Sequence, residues 1–129
     1  MSLFSRFLAK LIRSHSKALQ GVFRYLAKTL ELGIVYSKYN RKGLYAYTDA
    51  DWAGSTLVGD CKSTSGYVVI LAGGPIVWSS RRQSTVATSS TYAEYVGQAN
   101  AIKQAVHLIQ FLGEVHRFPD LPLKIYADN

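Results

Sequence analysis

Hydrophobic residues follow helical spacing in the first part of the chain. Residues 14–30 carry apolar side chains at three- and four-residue steps, which predicts an amphipathic helix with Ser14 as its N-cap and Gly33 after its end. We expect the apolar face to pack in a core. Ile34, Val35 and Tyr36 then form an apolar run that predicts a short strand. The apolar face of the helix consists of Leu19, Val22, Phe23, Leu26 and Leu30.

The middle of the chain has the pattern of three strands joined by turns. Residues 44–48 are rich in β-forming residues and stop at Asp49, residues 66–71 are strongly apolar, and residues 76–80 follow a Gly-Gly-Pro turn. Residues 53–63 are polar and glycine-containing, which is typical of a loop. Short turns favour antiparallel neighbours, so the pattern predicts a meander.

A long helix and a last strand complete the pattern. The helix is predicted from Tyr92 to Gly113, after a capping box of Thr91 and Glu94. Its apolar stripe consists of Tyr95, Ala99, Ile102, Val106 and Ile109. Residues 123–127 predict a strand that the long crossover allows to run parallel to its neighbour. The predicted fold class is therefore α/β, with a mixed sheet, an antiparallel meander plus a parallel strand, and helices.

Composition adds a preference for a polyanionic partner. The 129 residues carry 15 Lys and Arg against 8 Asp and Glu, a net charge of +7, which favours nucleic acid, although a solubilising surface would have the same charge. The single cysteine, Cys61, excludes an intramolecular disulfide. No apolar run reaches the roughly 20 residues that span a bilayer, so no membrane partner is expected.

Three acidic residues stand at the ends of predicted elements: Asp49 after a strand, Glu94 at a helix start and Asp128 after the last strand. Strand ends and helix starts of an α/β sheet can meet at one edge. Clustered carboxylates are tolerated mainly around a cation, and their hard oxygens suit Mg²⁺ or Mn²⁺. The alternatives are local: Glu94 completes the capping box, Asp49 and Asp51 form a turn, and Asp128 forms a turn or cap. The residues alone leave both interpretations open.

Five motifs then appear in one order between residues 44 and 129. They are Y-T-D-A-D-W-A-G from Tyr47, K-S-T-S-G-Y from Lys62, G-P-I-V-W-S-S-R-R-Q from Gly74, T-V-A-T-S-S-T-Y-A-E-Y from Thr85 and I-Y-A-D-N from Ile125. This series resembles the ribonuclease H domain of copia-type LTR-retrotransposon polyproteins. Residues 5–36 resemble the linker that precedes that domain. The resemblance implies a helical linker segment at 1–36 and a ribonuclease H-like domain at 44–129.

The resemblance implies an activity and its residues. The family hydrolyses the RNA strand of RNA–DNA hybrids with two Mg²⁺ ions, and Mn²⁺ is a possible substitute. By its pattern, Asp49, Glu94 and Asp128 are the catalytic, metal-binding carboxylates, and Asp51 has a supporting role.

Basic and aromatic residues of the motifs have expected roles as well. Lys62, Arg81 and Arg82 are candidates for contacts with nucleic-acid phosphates. Lys103 is a further candidate, for which a solvated surface position is the preferred interpretation. We expect Trp78 to pack in the core. Implied partners are an RNA–DNA hybrid and the reverse transcriptase portion of the parent polyprotein, in cytoplasmic virus-like particles or the nucleus.

The sequence departs from the family pattern in the linker, in the fourth motif and at its end. In the linker, Leu11 and Ser16 stand where the family tends to have Pro and Trp. Tyr92 stands where the family usually has Glu, and the pattern of the family continues past D-N-Q through a helix, a strand and a segment with a fourth acid. We therefore expect a C-terminally truncated fold, incomplete at that end, with impaired catalysis because a second metal ion is held poorly. The alternatives are a non-catalytic remnant and a basic nucleic-acid-binding module without activity.

Overall fold

The computed structural model of the protein describes residues 12–40, 42–53, 61–117 and 122–128. The chain divides into two compact units, Met1–Ile34 and Val35–Asn129. The first contains helix α1 (Arg13–Lys28). The second contains strands β1 (Tyr45–Asp51), β2 (Thr64–Leu71) and β3 (Gly74–Arg82), helix α2 (Ser90–Glu114) and strand β4 (Lys124–Ala127). Among the described residues, no helix is long and apolar enough to cross a membrane.

Helix α1 forms where the apolar periodicity predicts it, but its ends and its burial differ from the prediction. It begins at Arg13 after an extended Ile12, so Ser14 lies inside the helix and the predicted N-cap is wrong. No residue of α1 is buried, and Phe23 is 61% exposed, so the predicted core face is also wrong. An amphipathic pattern specifies which face would be buried, whereas burial itself needs a packing partner.

The segment after α1 is anchored by single hydrogen bonds instead of a strand ladder. The helix ends at Lys28, well before Gly33, and Ile34, Val35 and Tyr36 form no strand, contrary to the prediction. Within the second unit, the Tyr36 hydroxyl donates to the Pro75 carbonyl at 2.8 Å, and the Ser37 amide donates to the Ala72 carbonyl at 2.8 Å.

The sheet confirms the predicted mixed topology. Its order is β3-β2-β1-β4, with antiparallel β1–β2 and β2–β3 pairs and a parallel β1–β4 pair. Strand β1 continues to Asp51, so Asp49 lies inside the strand, paired with Gly66, instead of following it as predicted. Most of the predicted loop, residues 54–60, lies outside the described residues.

The β2–β3 turn consists of two residues with positive φ, Ala72 (54°) and Gly73 (85°). Such mirror-image turns match the right-handed twist of paired strands. A Cβ atom at Gly73 would lie 2.7 Å from Nδ2 of Asn40, the end of a flexible side chain, so the positive φ is the main reason for glycine here. The turn thereby supports the predicted hairpin.

Helix α2 packs on the sheet through its small residues. Ala93, Gly97, Ala101 and Ala105 are its buried positions. The predicted apolar stripe is largely wrong, because Tyr95, Ile102 and Val106 are 66%, 49% and 48% exposed. Small side chains let the helix backbone lie close to the strands, and close packing outweighs the hydrophobicity of the larger residues.

The start of α2 also differs from the prediction. Its N-cap is Ser89, whose side chain accepts a hydrogen bond from the Tyr92 amide at 3.1 Å. Thr91 lies inside the helix, so the predicted capping box with Glu94 is wrong. The structure therefore removes the local explanation for the carboxylate of Glu94.

The core lies between α2 and one face of the sheet. Leu44, Ala46 and Val69 are fully buried there, and Leu108 and Ile125 pack against them. Other large side chains remain outside: Trp78 is 65% exposed, which contradicts the expectation that it packs in the core. On neighbouring strands Tyr47 and Tyr126 stack with their ring centroids 5.2 Å apart.

Candidate active site

The three predicted carboxylate residues line one small recess. Asp49 belongs to β1, Glu94 to the first turns of α2, and Asp128 directly follows β4. The free volume is about 10 Å³, which is close to the space of a single water molecule or small ion. Thr48, Ala50, Gln98 and Ala127 complete the lining. Residues that are far apart in the sequence are thus brought together by three different elements.

Parallel pairing of β1 and β4 explains two of these positions. Thr48 lies opposite Ala127 in the parallel ladder. Asp49 and Asp128 directly follow this pair, so they lie at the same height along the two neighbouring strands. Glu94 comes from the helix above, and Gln98 lies four residues further on the same helix face. A parallel pair needs a crossover, which α2 supplies.

Gly97 sets how closely the helix approaches these strands. A Cβ atom at this position would lie 3.4 Å from Oγ of Ser65, 3.4 Å from Oγ1 of Thr48 and 3.5 Å from the Asp49 carbonyl oxygen. The backbone of α2 therefore lies directly on β1 and β2, one turn after Glu94. A side chain larger than that of alanine would have to move one of these neighbours.

A buried glutamine joins the end of β3 to the start of α2. Gln83 is 6% exposed, and its Nε2 donates to Oγ of Ser65 at 2.6 Å and to the Ala93 carbonyl at 2.8 Å. Its Oε1 is buried and has no hydrogen-bond partner among the described residues. Because Ala93 precedes Glu94, this amide is a positioning group for the helix turn that carries the carboxylate.

A second anchor lies on the other side of the helix start. Nε1 of Trp52 donates to the Ala87 carbonyl at 3.0 Å, and the Ala53 amide donates to Oγ of Ser63 at 3.2 Å. The first bond connects the turn after β1 with the segment that leads into α2, and the second connects the same turn with the residue before β2. Gln83, Trp52 and Gly97 were given no role from the sequence. Gln83 and Trp52 could have been noticed from their places in the motifs, and Gly97 from the four-residue spacing of small residues along α2.

The acidic residues of the recess are of the type that binds a divalent ion, but they are not spaced closely enough to coordinate one. Carboxylate oxygens suit Mg²⁺ and Mn²⁺, and three acidic residues surround one ion-sized space. However, the described part of the chain contains no group of three or more His, Cys, Asp or Glu residues arranged closely enough to hold a metal ion. The side chains share a recess without converging on a single coordination point.

An adjoining depression lies on the outer side of the same helix turn. Glu94 and Gln98 line it together with Thr91 and Tyr95, and its volume is about 290 Å³. Glu94 therefore contributes to both the recess and a larger surface depression. A large substrate would have more room at this depression than the recess itself offers.

Two of the three predicted phosphate-contacting residues lie together, away from the recess. Arg81 and Arg82, at the end of β3, line a cleft of about 590 Å³ between the sheet and α2. Lys103 of α2 lines the same cleft and is exposed, which agrees with the preferred interpretation of a solvated position. Lys62 lies just before β2 and does not belong to this lining.

Comparison with known proteins places the chain among transposon polyproteins. It is 45% identical over 115 residues to the Retrovirus-related Pol polyprotein from transposon RE2 of Arabidopsis thaliana. It is 42% identical over 125 residues to the corresponding polyprotein from transposon RE1 of the same plant. The matches cover 89% and 97% of this chain but only 8% of each polyprotein. No family model matches the chain. No solved structure matches it significantly.

A shorter relative is covered over most of its length. The chain is 40% identical over 108 residues to the Secreted RxLR effector protein 161 of Plasmopara viticola, which covers 84% of this chain and 75% of that protein. Similarity at this level over most of both chains indicates common descent of one folded region. The relatives of this chain thus include retrovirus-related Pol polyproteins from copia-type transposons, of whose length the chain spans about 8%.

Proposed function

We propose that the chain is the ribonuclease H-like region of a retrotransposon polyprotein, descended from an enzyme that hydrolyses the RNA strand of RNA–DNA hybrids. Its proposed catalytic and metal-binding residues are Asp49, Glu94 and Asp128. The proposal rests on one observation: these three residues belong to three separate elements and line one ion-sized recess. The predicted capping box does not account for Glu94, and Asp49 lies inside a strand and not in a turn.

The fold supports this proposal independently of the acids. A mixed sheet of order β3-β2-β1-β4, with α2 as the crossover between the meander and β4, is consistent with a ribonuclease H-like fold. The five motifs of the resemblance fall on the elements that build the site: the first on β1, the second on the start of β2, the third on β3, the fourth on α2 and the last on β4.

The proposed cofactor is Mg²⁺, with Mn²⁺ as a substitute. A bound divalent ion would lower the pKa of a coordinated water and stabilise the negative charge that develops on phosphate oxygens. The residues of the chain have simpler roles in the proposal. The three carboxylates attract the cation, while Gly97, Gln83 and Trp52 hold the helix turn and strands on which the carboxylates stand.

The test is cleavage of labelled RNA in an RNA–DNA hybrid by the full chain with Mg²⁺. We expect the full chain to cleave the RNA strand. Asp49→Asn should lower the cleavage rate about 100-fold or more, because neutralising a proposed metal ligand costs at least as much as disturbing the residues that support such a ligand. Asp51→Asn is the matched control: this acid lies in the same strand but outside the recess lining, so activity should remain close to that of the unchanged chain.

A titration with Mg²⁺, followed by NMR of the aspartate and glutamate carboxyl carbons, gives a readout besides activity. Shifts confined to Asp49, Glu94 and Asp128 are expected. Equal loss of cleavage in both aspartate variants would contradict the assignment of the recess. A folded chain without cleavage and without these shifts would contradict the proposed catalysis altogether.

A nucleic-acid-binding module without hydrolysis is the second candidate function. Two observations favour it: the basic cleft lined by Arg81, Arg82 and Lys103, and the lack of a metal-holding group among the described acids. Such a module would bind a hybrid with strong salt dependence and would leave the RNA strand intact. The cleavage assay and a parallel binding assay separate the two candidates.

A further inference from the structure

Helix α1 carries its apolar and its charged residues on opposite sides. At 3.6 residues per turn, four cations fall within a sector of about 60°, and four apolar residues fall within a sector of about 100° on the opposite side. The cations, called the basic stripe, are Arg13, Lys17, Arg24 and Lys28. The apolar residues, called the α1 apolar face, are Leu19, Val22, Phe23 and Leu26. The helix contains no Asp or Glu.

The α1 apolar face has no packing partner within the described part of its own unit. Helix α1 is the only helix or strand described between residues 12 and 34, and none of its residues is buried. Phe23 and Leu26 are 61% and 52% exposed. A continuous apolar surface bordered by polar residues is typical of a site that binds a protein or a membrane.

Nearly all the net charge of the chain lies in the segment that contains this helix. Residues 1–30 contain six of the 15 Lys and Arg residues and no Asp or Glu, so they carry +6 of the net charge of +7. Residues 31–129 are therefore close to neutral. The partner that complements the first segment is negatively charged, which disfavours a second copy of this chain because it brings the same positive charge.

A partner of α1 has to cover apolar surface and also carry negative charge. Nucleic acid supplies the charge, but its phosphates leave the α1 apolar face in water. A groove in an acidic protein needs pockets spaced for particular side chains. An anionic bilayer accepts any continuous apolar face, because acyl chains lie directly beneath its negative headgroups.

We propose that α1 binds an anionic lipid surface and lies in the plane of that surface. The α1 apolar face enters the boundary between headgroups and acyl chains, at a depth of about 5–10 Å. The basic stripe lies about one helix diameter above it, roughly 10 Å, which is still within reach of the negative surface potential.

This proposal differs in kind from a membrane-spanning segment. The expectation of no membrane partner came from the lack of an apolar run long enough to span a bilayer, and a helix in the surface plane needs no such run. It is also independent of the proposed hydrolysis, because no described residue of α1 lines the carboxylate recess or the basic cleft.

The test is co-sedimentation of the full chain with lipid vesicles. One set of vesicles contains equal parts of phosphatidylserine and phosphatidylcholine, and the other contains phosphatidylcholine alone. We expect binding to the anionic vesicles and much weaker binding to the neutral ones. Binding to the anionic vesicles should weaken as salt is added, because salt screens the surface potential.

Phe23→Ser tests the α1 apolar face. It should weaken binding to the anionic vesicles about tenfold, because a phenylalanine side chain no longer enters the apolar boundary. Phe111→Ser is the matched control: it makes the same exchange at a residue of α2 that is 53% exposed, and it should bind like the unchanged chain. A far-ultraviolet circular dichroism spectrum of each variant confirms that it is folded.

The double variant Lys17→Gln with Arg24→Gln tests the basic stripe. It should weaken binding to the anionic vesicles about fivefold, because two cations near the surface are lost. Lys38→Gln with Lys124→Gln is the matched control, which removes the same charge from exposed residues outside α1 and should have little effect.

Equal binding to both kinds of vesicle, binding to neither, or unchanged binding by Phe23→Ser overturns the proposal. Two measurements would then identify another partner of α1. Sedimentation velocity at several protein concentrations would detect pairing with a second copy. Binding of an RNA–DNA hybrid that weakens in the double variant of the basic stripe would assign this stripe to nucleic acid.

Discussion

The two sides of helix α2 differ in both charge and size. On one side, three carboxylates line a recess of about 10 Å³. On the other, three cations line a cleft of about 590 Å³. A polyanion is attracted to the cleft and repelled by the recess unless a cation neutralises the carboxylates. One helix thus separates a region suited to a metal ion from a region suited to phosphate.

The difference follows from how the helix sits on the sheet. Over β1 and β2, Gly97 brings the two backbones together, which leaves only a narrow space beside Glu94. Towards the edge strand β3 the lining residues are long and polar, so the helix and the strand are separated by a cleft. Residue size along one helix therefore determines the kind of ligand each side can hold.

The largest expected effect comes from Gly97→Val, which disturbs both regions at once. The Cβ atom alone would lie 3.4 Å from two hydroxyl oxygens, and the added methyl groups have no room without moving the helix. We expect a loss of about 1–3 kcal/mol in the free energy of unfolding, measured by urea denaturation.

Gly97→Ala is the matched comparison. Its single Cβ meets its neighbours at ordinary van der Waals distance, and alanine favours helix over glycine by about 1 kcal/mol. We therefore expect this variant to be as stable as the unchanged chain or slightly more stable. If Val and Ala at this position have equal stability, the close approach of α2 does not control the two regions.

Gln83→Leu should have the next largest effect on stability. Gln83 lines the cleft and also donates a hydrogen bond to the first turn of α2. The substitution removes two donated hydrogen bonds and leaves the Ala93 carbonyl without this donor, at a cost of about 1–2 kcal/mol. Loss of the unpartnered Oε1 offsets part of this cost. Thermal unfolding measures the effect, and hydrogen exchange of the first α2 amides should rise. Unchanged exchange would show that Gln83 does not position the turn with Glu94.

Trp52→Phe should have a smaller effect, limited to the recess side. The change keeps an aromatic ring and removes the hydrogen bond from Nε1 to the Ala87 carbonyl, so we expect a loss of about 1 kcal/mol. Affinity of the cleft for an RNA–DNA hybrid should not change. A comparable loss in cleft affinity would mean that the two sides of α2 are coupled.

The smallest effect concerns the salt dependence of hybrid binding. Lys103→Gln should lower the slope of log affinity against log salt by about one unit if Lys103 contacts a phosphate. Asp49→Asn should not lower the slope, because it removes a negative charge from the other side of the helix. Fluorescence anisotropy at several salt concentrations measures both. Equal slopes for all three chains would exclude a role of Lys103 in phosphate contact.

Hydrophobic periodicity was sufficient to predict both helices, the four strands and the mixed sheet, but it also predicted a strand at residues 34–36 that does not form. The run before Asp49, the apolar residues 66–71 and the last strand each reappear as β1, β2 and β4, because alternation and β-forming residues act locally. The same local rules failed at helix ends. Ser14 and Thr91 were predicted near the helix starts, but the N-cap residues are Ile12 and Ser89. Several neighbouring residues can start a helix, and tertiary packing selects one of them.

The acids of the site could be named from the sequence, but their arrangement could not. The motifs identified Asp49, Glu94 and Asp128, whereas their meeting in one recess depends on the parallel register of β1 with β4 and on the crossing point at Gly97. Gln83 was missed because its two hydrogen bonds join residues from different elements. Such contacts leave no periodic signal in the chain.

The sequence by itself determined the fold class, the resemblance to transposon polyproteins and the candidate charged residues, because these depend on composition, on spacing and on motifs in a fixed order. Only the tertiary structure decided which face of α2 is buried and which charges lie together. The larger apolar residues Tyr95, Ile102 and Val106 were expected inside, yet Ala93, Gly97 and Ala101 took that place. The physical reason is that close packing of a helix on a sheet depends on the shape of both surfaces, and a sequence pattern describes only one of them.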